Sequence, residues 1–444
     1  MSGYLERVTI RNLASPYGLA IASLFVFLLC WAAPPTLFLD FVGEADILHL
    51  NSLVLLFYVS CVSLFIAGVR ASSLFRYSRS GYLRTVTASA PIGFLLFPLG
   101  VSTMLCAGSV LALSGSISNL ANLLLSQQGA LIKLAGASGQ AEEGSWGYMI
   151  TLHTGVLWWA YARSRSMSLP GILGRIFTLC FCGGLAVALG TAVAKVDRTN
   201  LIPIIAGLFI LYLYSKVSRR DDSLSKLLML CTALAAAVLL SFSAVSFLRG
   251  ASNARLLFAG IFGYTAVSYN RMAAELTGLL HYSFGGRGIY LSSFLSFNNT
   301  VNRLVPINEW MGGPTSRAVY FSEFPSIAAS GLNPGFNWAG AFGYIFADLG
   351  WWTPLYLFLI GVFIGWLWRA FRAGTVAGVV LYPWAAFSIL FWFGWNVLFD
   401  LRFAVLLVVV VTLTIYESCL ARTLLADDVA LSSPRMEVRA EVCT

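Results

Sequence analysis

Charge is scarce in this sequence. Asp, Glu, Lys and Arg together make up 11% of its 444 residues, and His occurs three times. Soluble domains carry about a quarter charged residues, so the scarcity excludes a solvated globular fold of this length. A phosphate cradle of the nucleotide-binding kind is also missing, because neither a P-loop nor a G-x-G-x-x-G between strand and helix patterns occurs. Cysteine is present but never paired in an exported loop. Cys30, Cys61, Cys106, Cys180, Cys182, Cys231 and Cys419 fall in apolar runs and Cys443 in the C-terminal tail, which excludes a disulfide framework and leaves Cys180 and Cys182 poor candidates for a metal or redox pair.

Hydrocarbon fills the space that charge leaves. Hydrophobic residues make up 58% of the chain and aromatic residues 14%. Runs long enough to cross ~30 Å of bilayer, about 20 residues each, recur at 17–38, 50–69, 89–113, 146–162, 173–194, 201–215, 227–248, 343–366, 376–398 and 403–419. The expected fold is an all-α polytopic membrane protein with about 10 transmembrane helices, within a range of about 10–12. The first run is too long for a signal peptide and is followed at once by a second, so it reads as a retained span.

Basic residues set the orientation. Arg7 and Arg11, then Arg70, Arg76, Arg79 and Arg84, then Arg163, Arg165 and Arg175, then Lys216, Arg219, Arg220 and Lys226 fall between alternate spans, with Arg369, Arg372, Arg422, Arg435 and Arg439 completing the series. The positive-inside rule makes these loops and both termini cytoplasmic. The net charge of +9 thus reports topology, and no basic domain exists to hold nucleic acid. The expected organisation is a bundle of about seven spans over 1–248, a large outer loop over 249–342, three spans over 343–419 and a cytoplasmic tail over 420–444.

Cytoplasmic loops this short cannot fold a nucleotide-sugar domain, so chemistry is expected on the outer side. The 249–342 segment holds Arg249, Arg255, Arg271, Arg287, Arg303 and Arg317 against Glu275, Glu309 and Glu323. Every cation in it is Arg, whose planar fork matches phosphate oxygens two at a time. Arg271 and Glu275, four apart in a helix-period stretch, share a face. Tyr264, Tyr269, Tyr282, Tyr290, Trp310, Tyr320 and Trp338 are interleaved with these charges and offer faces for sugar rings. The clusters "FGGRG" and "PINEWMGGP" call for irregular backbone. Together they suggest a lipid-linked phosphosugar ligand. In the short outer turn "KVDRTNLIP", Arg198 opens an apolar helix whose free N–H groups favour an anion.

The helix-opening arginine in "DRTNLIPIIAGLFILYLY", the arginine-bearing outer loop and the closing "PGFNWAGAFGYIFADLGWWTPLYLFLIGVFIG" resemble the bacterial oligosaccharide repeat-unit polymerases, the Wzy-type O-antigen and exopolysaccharide polymerases. The likeness covers about 195–215 and 264–366. It implies an inner-membrane enzyme that transfers a growing glycan, on the periplasmic face, from undecaprenyl pyrophosphate to the next lipid-linked repeat unit. A chain-length regulator and a flippase are the partners it implies. Carried over, Arg198 takes the family's helix-opening arginine, and Arg271 or Arg287 the arginine of the large loop. The related O-antigen ligases place a histidine where this chain has Asn337, which favours a polymerase and leaves the general base open.

Two arginines can stabilise a leaving diphosphate without metal, and no outward carboxylate cluster has ligand spacing, so neither metal nor cofactor is expected. Glu323 is the first choice of base, ahead of Glu309 and His281. Arg198, Arg271 and Glu323 are thus the candidate catalytic residues, and Arg287, Arg317, Asn337, Trp338 and Tyr264 the candidate substrate contacts. An O-antigen ligase is one alternative. A polyprenyl-monophosphate-dependent transferase would instead use Asp40, Glu44 and Asp46 of the first outer loop, and a polysaccharide-lipid transporter would want charges facing a central cavity.

Overall fold

The computed structural model describes residues 14–432 except 45–47, 76–89, 115–147, 168, 196–197, 217–223, 249–252, 292, 298–301 and 304. Every regular element among the described residues is helical. The main helices are α1 (Pro16–Trp31), α2 (Pro35–Val42), α3 (Ser52–Ala71), α4 (Gly93–Ser114), α5 (Met149–Ser164), α6 (Gly171–Ala194), α7 (Arg198–Lys216) and α8 (Leu224–Leu248). There follow α9 (Ala254–Gly263), α10 (Ala266–Leu276), α11 (Ser316–Ala329), α12 (Gly340–Leu349), α13 (Thr353–Ala373), α14 (Val376–Leu390) and α15 (Leu401–Ser432).

The apolar runs fall largely on these helices, 17–38 on α1 and α2 and 343–366 on α12 and α13. By length and composition four stretches can cross a membrane alone: Ser52–Leu74, Gly171–Ala194, Gly340–Arg372 and Leu401–Thr423. Large apolar side chains point outward from several helices, as with Met104 (77% exposed), Ile172 (73%) and Leu179 (73%). Such an apolar exterior is unfavourable in water and suits lipid.

The first run is not the single straight span read from its hydropathy. Consecutive prolines break it, with Pro34 extended and Pro35 opening α2, because a residue before proline avoids the helical region. The two halves meet at 84°. Gly43 then ends α2 at φ 80°, a conformation open to glycine. The break turns the chain back and delivers Glu44 to the interior, where it is 1% exposed.

Among the described residues, α3 and α13 share the most extensive helix contact. Gly361 and Gly365, one turn apart on α13, and Gly68 on α3 let the backbones touch. A Cβ on Gly361 would meet the Phe65 carbonyl, and one on Gly68 the Phe358 carbonyl. Small residues at four-residue spacing are the means by which apolar helices approach in lipid, where packing rather than water exclusion holds them together. Arg163, Arg271 and Arg402 are buried in ion pairs. Arg163 reaches both oxygens of Glu417, with Nε at 2.6 Å and Nη2 at 2.9 Å, while Trp159 Nε1 donates to the same carboxylate at 2.6 Å.

The single helix-period stretch expected at the start of the large loop is two helices, α9 and α10, parted at Tyr264 and Thr265. Gly263, at the junction, admits the Phe336 ring. The ninth run likewise stops being helical at Leu390, and an irregular stretch to Asp400 leads into α15.

Candidate functional site

The segment 333–338, "NPGFNW", is the pivot. It is clamped by Arg271 and Glu44, which are 0% and 1% exposed. Arg271 Nη2 and Nη1 fork onto the two Glu44 oxygens at 2.5 and 2.8 Å. Its remaining donors go to the carbonyls of Phe336 (2.6 Å), Asn333 (2.8 Å) and Val267 (3.3 Å). Glu44 in turn accepts the Asn333 N–H at 2.6 Å, and Asn333 Nδ2 donates to the Val42 carbonyl at 3.0 Å. The clamp thus welds the broken first run, α10 and the 333–338 turn into one body.

The ionic partner of Arg271 is Glu44, which a bent α2 brings across 227 positions of chain, and not Glu275 four residues along. All five guanidinium N–H groups of Arg271 are occupied by protein. Arg271 therefore positions the site rather than presenting a free fork to an anion.

Beside the clamp, the chain gathers acids and tyrosines. Glu323, on α11, is 2% exposed. Asn337 Nδ2 donates to its Oε2 at 2.8 Å, and the Tyr344 hydroxyl lies 3.4 Å from the same oxygen while donating to the Asn337 carbonyl at 3.1 Å. Loss of solvation pushes the Glu323 carboxyl up to about 8, against the pull of those hydrogen bonds. Glu275, in the last turn of α10, is also buried and pushed up to about 8 by desolvation, at a helix end where a negative charge is further disfavoured.

Tyr282, Tyr290 and Tyr344 form a triangle with ring centroids 5.2–5.8 Å apart. The loop that carries Tyr290 is folded on Asp348, whose carboxylate accepts the N–H groups of Gly288 (3.0 Å), Tyr290 (2.7 Å) and Leu291 (3.1 Å). Gly286 and Gly288, both at φ 77°, make that wrap possible. Arg287, between them, is exposed, with its guanidinium over the Phe284 ring at 5.3 Å.

Tyr264 and Trp338 are half-buried and in contact, with centroids 4.4 Å apart, and Trp338 also meets Phe391 at 5.3 Å. From there the irregular 391–400 stretch runs past the tyrosines, Asn396 Nδ2 donating to the Tyr290 carbonyl at 3.0 Å. It ends at Asp400, which caps α15 by accepting the Arg402 N–H at 2.9 Å and also pairs with the Arg402 guanidinium. Arg402 Nη1 donates to the Thr199 carbonyl at 2.7 Å, next to Arg198 at the start of α7.

Among the sequence candidates, then, Glu323 and Asn337 are bonded to each other, the Tyr264 and Trp338 rings meet at a tilt of 56°, and Arg271 holds the turn that carries Asn337 and Trp338. Arg287 stands apart on the exposed side of the Tyr290 loop. The side chains of Arg198 and Arg317 lie outside the described residues, Arg198 being the first residue of α7 and Arg317 the second of α11. Glu309 and His281 are exposed and have no part in the buried cluster. Sequence reading gave no role to Asp400 and Arg402, though "FDLR" between two apolar runs carries the same signal as the Arg198 turn.

No protein-family model, curated protein or solved structure matches the chain. Its chemistry is therefore read from the site. Among the described residues no three His, Cys, Asp or Glu side chains come together as metal ligands do. What the cluster can do is take and release protons near neutral pH beside an aromatic platform.

Proposed function

We propose that this chain is a membrane glycosyltransferase of the repeat-unit polymerase kind, joining polyprenyl-diphosphate-linked oligosaccharides on the outer face of a bacterial inner membrane, with both termini cytoplasmic and about ten spans. The observation that carries the reading is Glu323, a carboxyl buried within 249–342, hydrogen-bonded by Asn337 and Tyr344 and pushed up to about 8. A group in that range exchanges protons where the enzyme works.

In the reaction, the acceptor sugar hydroxyl attacks the anomeric carbon of the donor glycan. Its proton passes to Glu323 as the carbon–oxygen bond to the diphosphate breaks. The diphosphate leaves with the bonding electrons, and its charge is met by Arg287 and, at the start of α7, Arg198. Tyr264 and Trp338 offer the face on which a sugar ring stacks. Arg271 and Glu44 hold the 333–338 turn in register.

The burial of Glu44 against Arg271 weighs against the monophosphate-dependent alternative, which would need Glu44 free beside Asp40. The test is a deletion followed by gel analysis of the surface glycan. Loss of the length ladder with retention of single-repeat glycan is expected. Long chains that persist in the deletion exclude polymerisation, and unextended units trapped inside the cell favour a transporter.

A further inference from the structure

Three polar atoms near Glu323 are buried and have no hydrogen-bond partner among the described residues: Glu275 Oε2, the Tyr282 hydroxyl and the Tyr290 hydroxyl. Tyr282 is 5% exposed. Leaving such atoms unsatisfied is unfavourable, so their gathering in one small cluster, where Ala274, Leu280, Ile327 and Leu332 pack on the tyrosines, calls for a role. The charges of Glu323 and Glu275 both act on the Tyr282 phenol and push it up, with desolvation the larger cause. The same two carboxylates act on Tyr290. The Tyr282 ring lies 5.5 Å from that of Tyr344, whose hydroxyl reaches Glu323, and it shares a buried cluster with Ala274, the neighbour of Glu275 in α10.

The two glutamates differ in access. Glu323 is enclosed by Asn337 and Tyr344. Glu275 lies two residues before the exposed stretch Thr277, Gly278 and Leu279, where α10 ends and the chain reaches the surface. Glu323 is 2% exposed and Glu275 8%, so Glu275 lies nearer the edge of solvent.

We propose that Glu275 is a second proton carrier of this site, receiving the proton from Glu323 through the Tyr282 hydroxyl and releasing it past residues 277–279. The inference rests on the polymerase reading for the source of the proton. In the transfer, Glu323 gives its proton to a water or hydroxyl that bridges to Tyr282. Tyr282 accepts it on oxygen and passes its own to Glu275, so that each group ends neutral or re-ionised with no net change in the phenol. The groups that set the balance are Tyr282 and Tyr290 on the loop after α10, Glu323 on α11, Tyr344 and Asp348 on α12, and Arg271 on α10 itself, its charge met by Glu44.

The test is an infrared titration of the purified full-length chain, following the carbonyl band of protonated carboxylic acid, in the native protein and in E275Q, E323Q and Y282F. Each buried carboxylic acid contributes its own step to that band, so E275Q and E323Q each remove one step and Y282F keeps both. In membranes E275Q and Y282F each slow polymer extension about 10²-fold, at the low end of what a positioned proton carrier contributes, while E323Q blocks it. Extension at the native rate in E275Q or Y282F, with E323Q blocked, overturns the proposal. A glycan ladder that depends on none of the three residues overturns the polymerase reading instead.

Discussion

Removing Arg271 strands a buried charge. With the guanidinium gone, Glu44 at 1% exposure retains only the Asn333 N–H, and the carbonyls of Phe336 and Asn333 lose their donors. Breaking a buried ion pair from one side costs about 3–5 kcal/mol, against a total stability of roughly 5–15 kcal/mol for a typical domain. R271A and E44A are each expected to lose that much. E44A/R271A should lose less than the sum, by about 0.5–3 kcal/mol, since no isolated charge remains. Unfolding is followed by tryptophan fluorescence as mixed micelles are enriched in a denaturing detergent. R271A within about 0.5 kcal/mol of native, the range of an inconsequential surface change, refutes the clamp, as does a double mutant whose loss equals the sum of the singles.

Three further outcomes follow from the packing and charges. Gly361→Val drives a branched side chain into the Phe65 carbonyl and is expected to cost about 1–3 kcal/mol, whereas Gly183→Ala, which meets nothing within 4 Å, leaves the same unfolding midpoint. Glu417→Ala strands Arg163, 9% exposed at its side chain, and frees the Trp159 indole from its 2.6 Å bond, so stability falls by about 3–5 kcal/mol and the tryptophan emission shifts. The third concerns pH. Glu323 and Glu275 have folded-state values raised to about 8 from an unfolded value near 4.3, so the folded state binds more protons in between. Stability therefore falls as pH rises from about 5 to about 8 and levels off above it. E323Q flattens that slope, and an unchanged slope in E275Q/E323Q contradicts the assignment.

Hydropathy carries much of the fold, because a stretch that must satisfy its backbone in lipid has to be helical. The described parts of the apolar runs are largely helical for that reason. What hydropathy does not carry is where a run breaks. Pro34 and Pro35 turn α1 into α2 by 84°, although both prolines sit inside an unbroken apolar window. The site is legible in part. Asn337 and Glu323, fourteen residues apart, bond directly, and both were candidates from the sequence, Glu323 as base and Asn337 as a substrate contact. The Glu44–Arg271 pair was not legible, since it depends on that turn, and helical spacing pointed to Glu275 instead. Asp348 was visible only as a charge near a helix end. That it organises the Arg287 loop through three backbone N–H groups is a property of tertiary structure, as positive-φ glycines state flexibility without naming a partner.

The central claim is that a buried carboxyl at position 323 moves the proton of a glycan-lengthening reaction. Its most direct test is the surface glycan of cells whose only copy carries E323Q, beside E323D and native protein, with the amount of each chain in the membrane measured on the same samples. The account predicts native membrane levels, single-repeat glycan in E323Q through a rate loss of about 10²–10⁴-fold, and a partial ladder in E323D. A full-length ladder in E323Q at native protein level contradicts it.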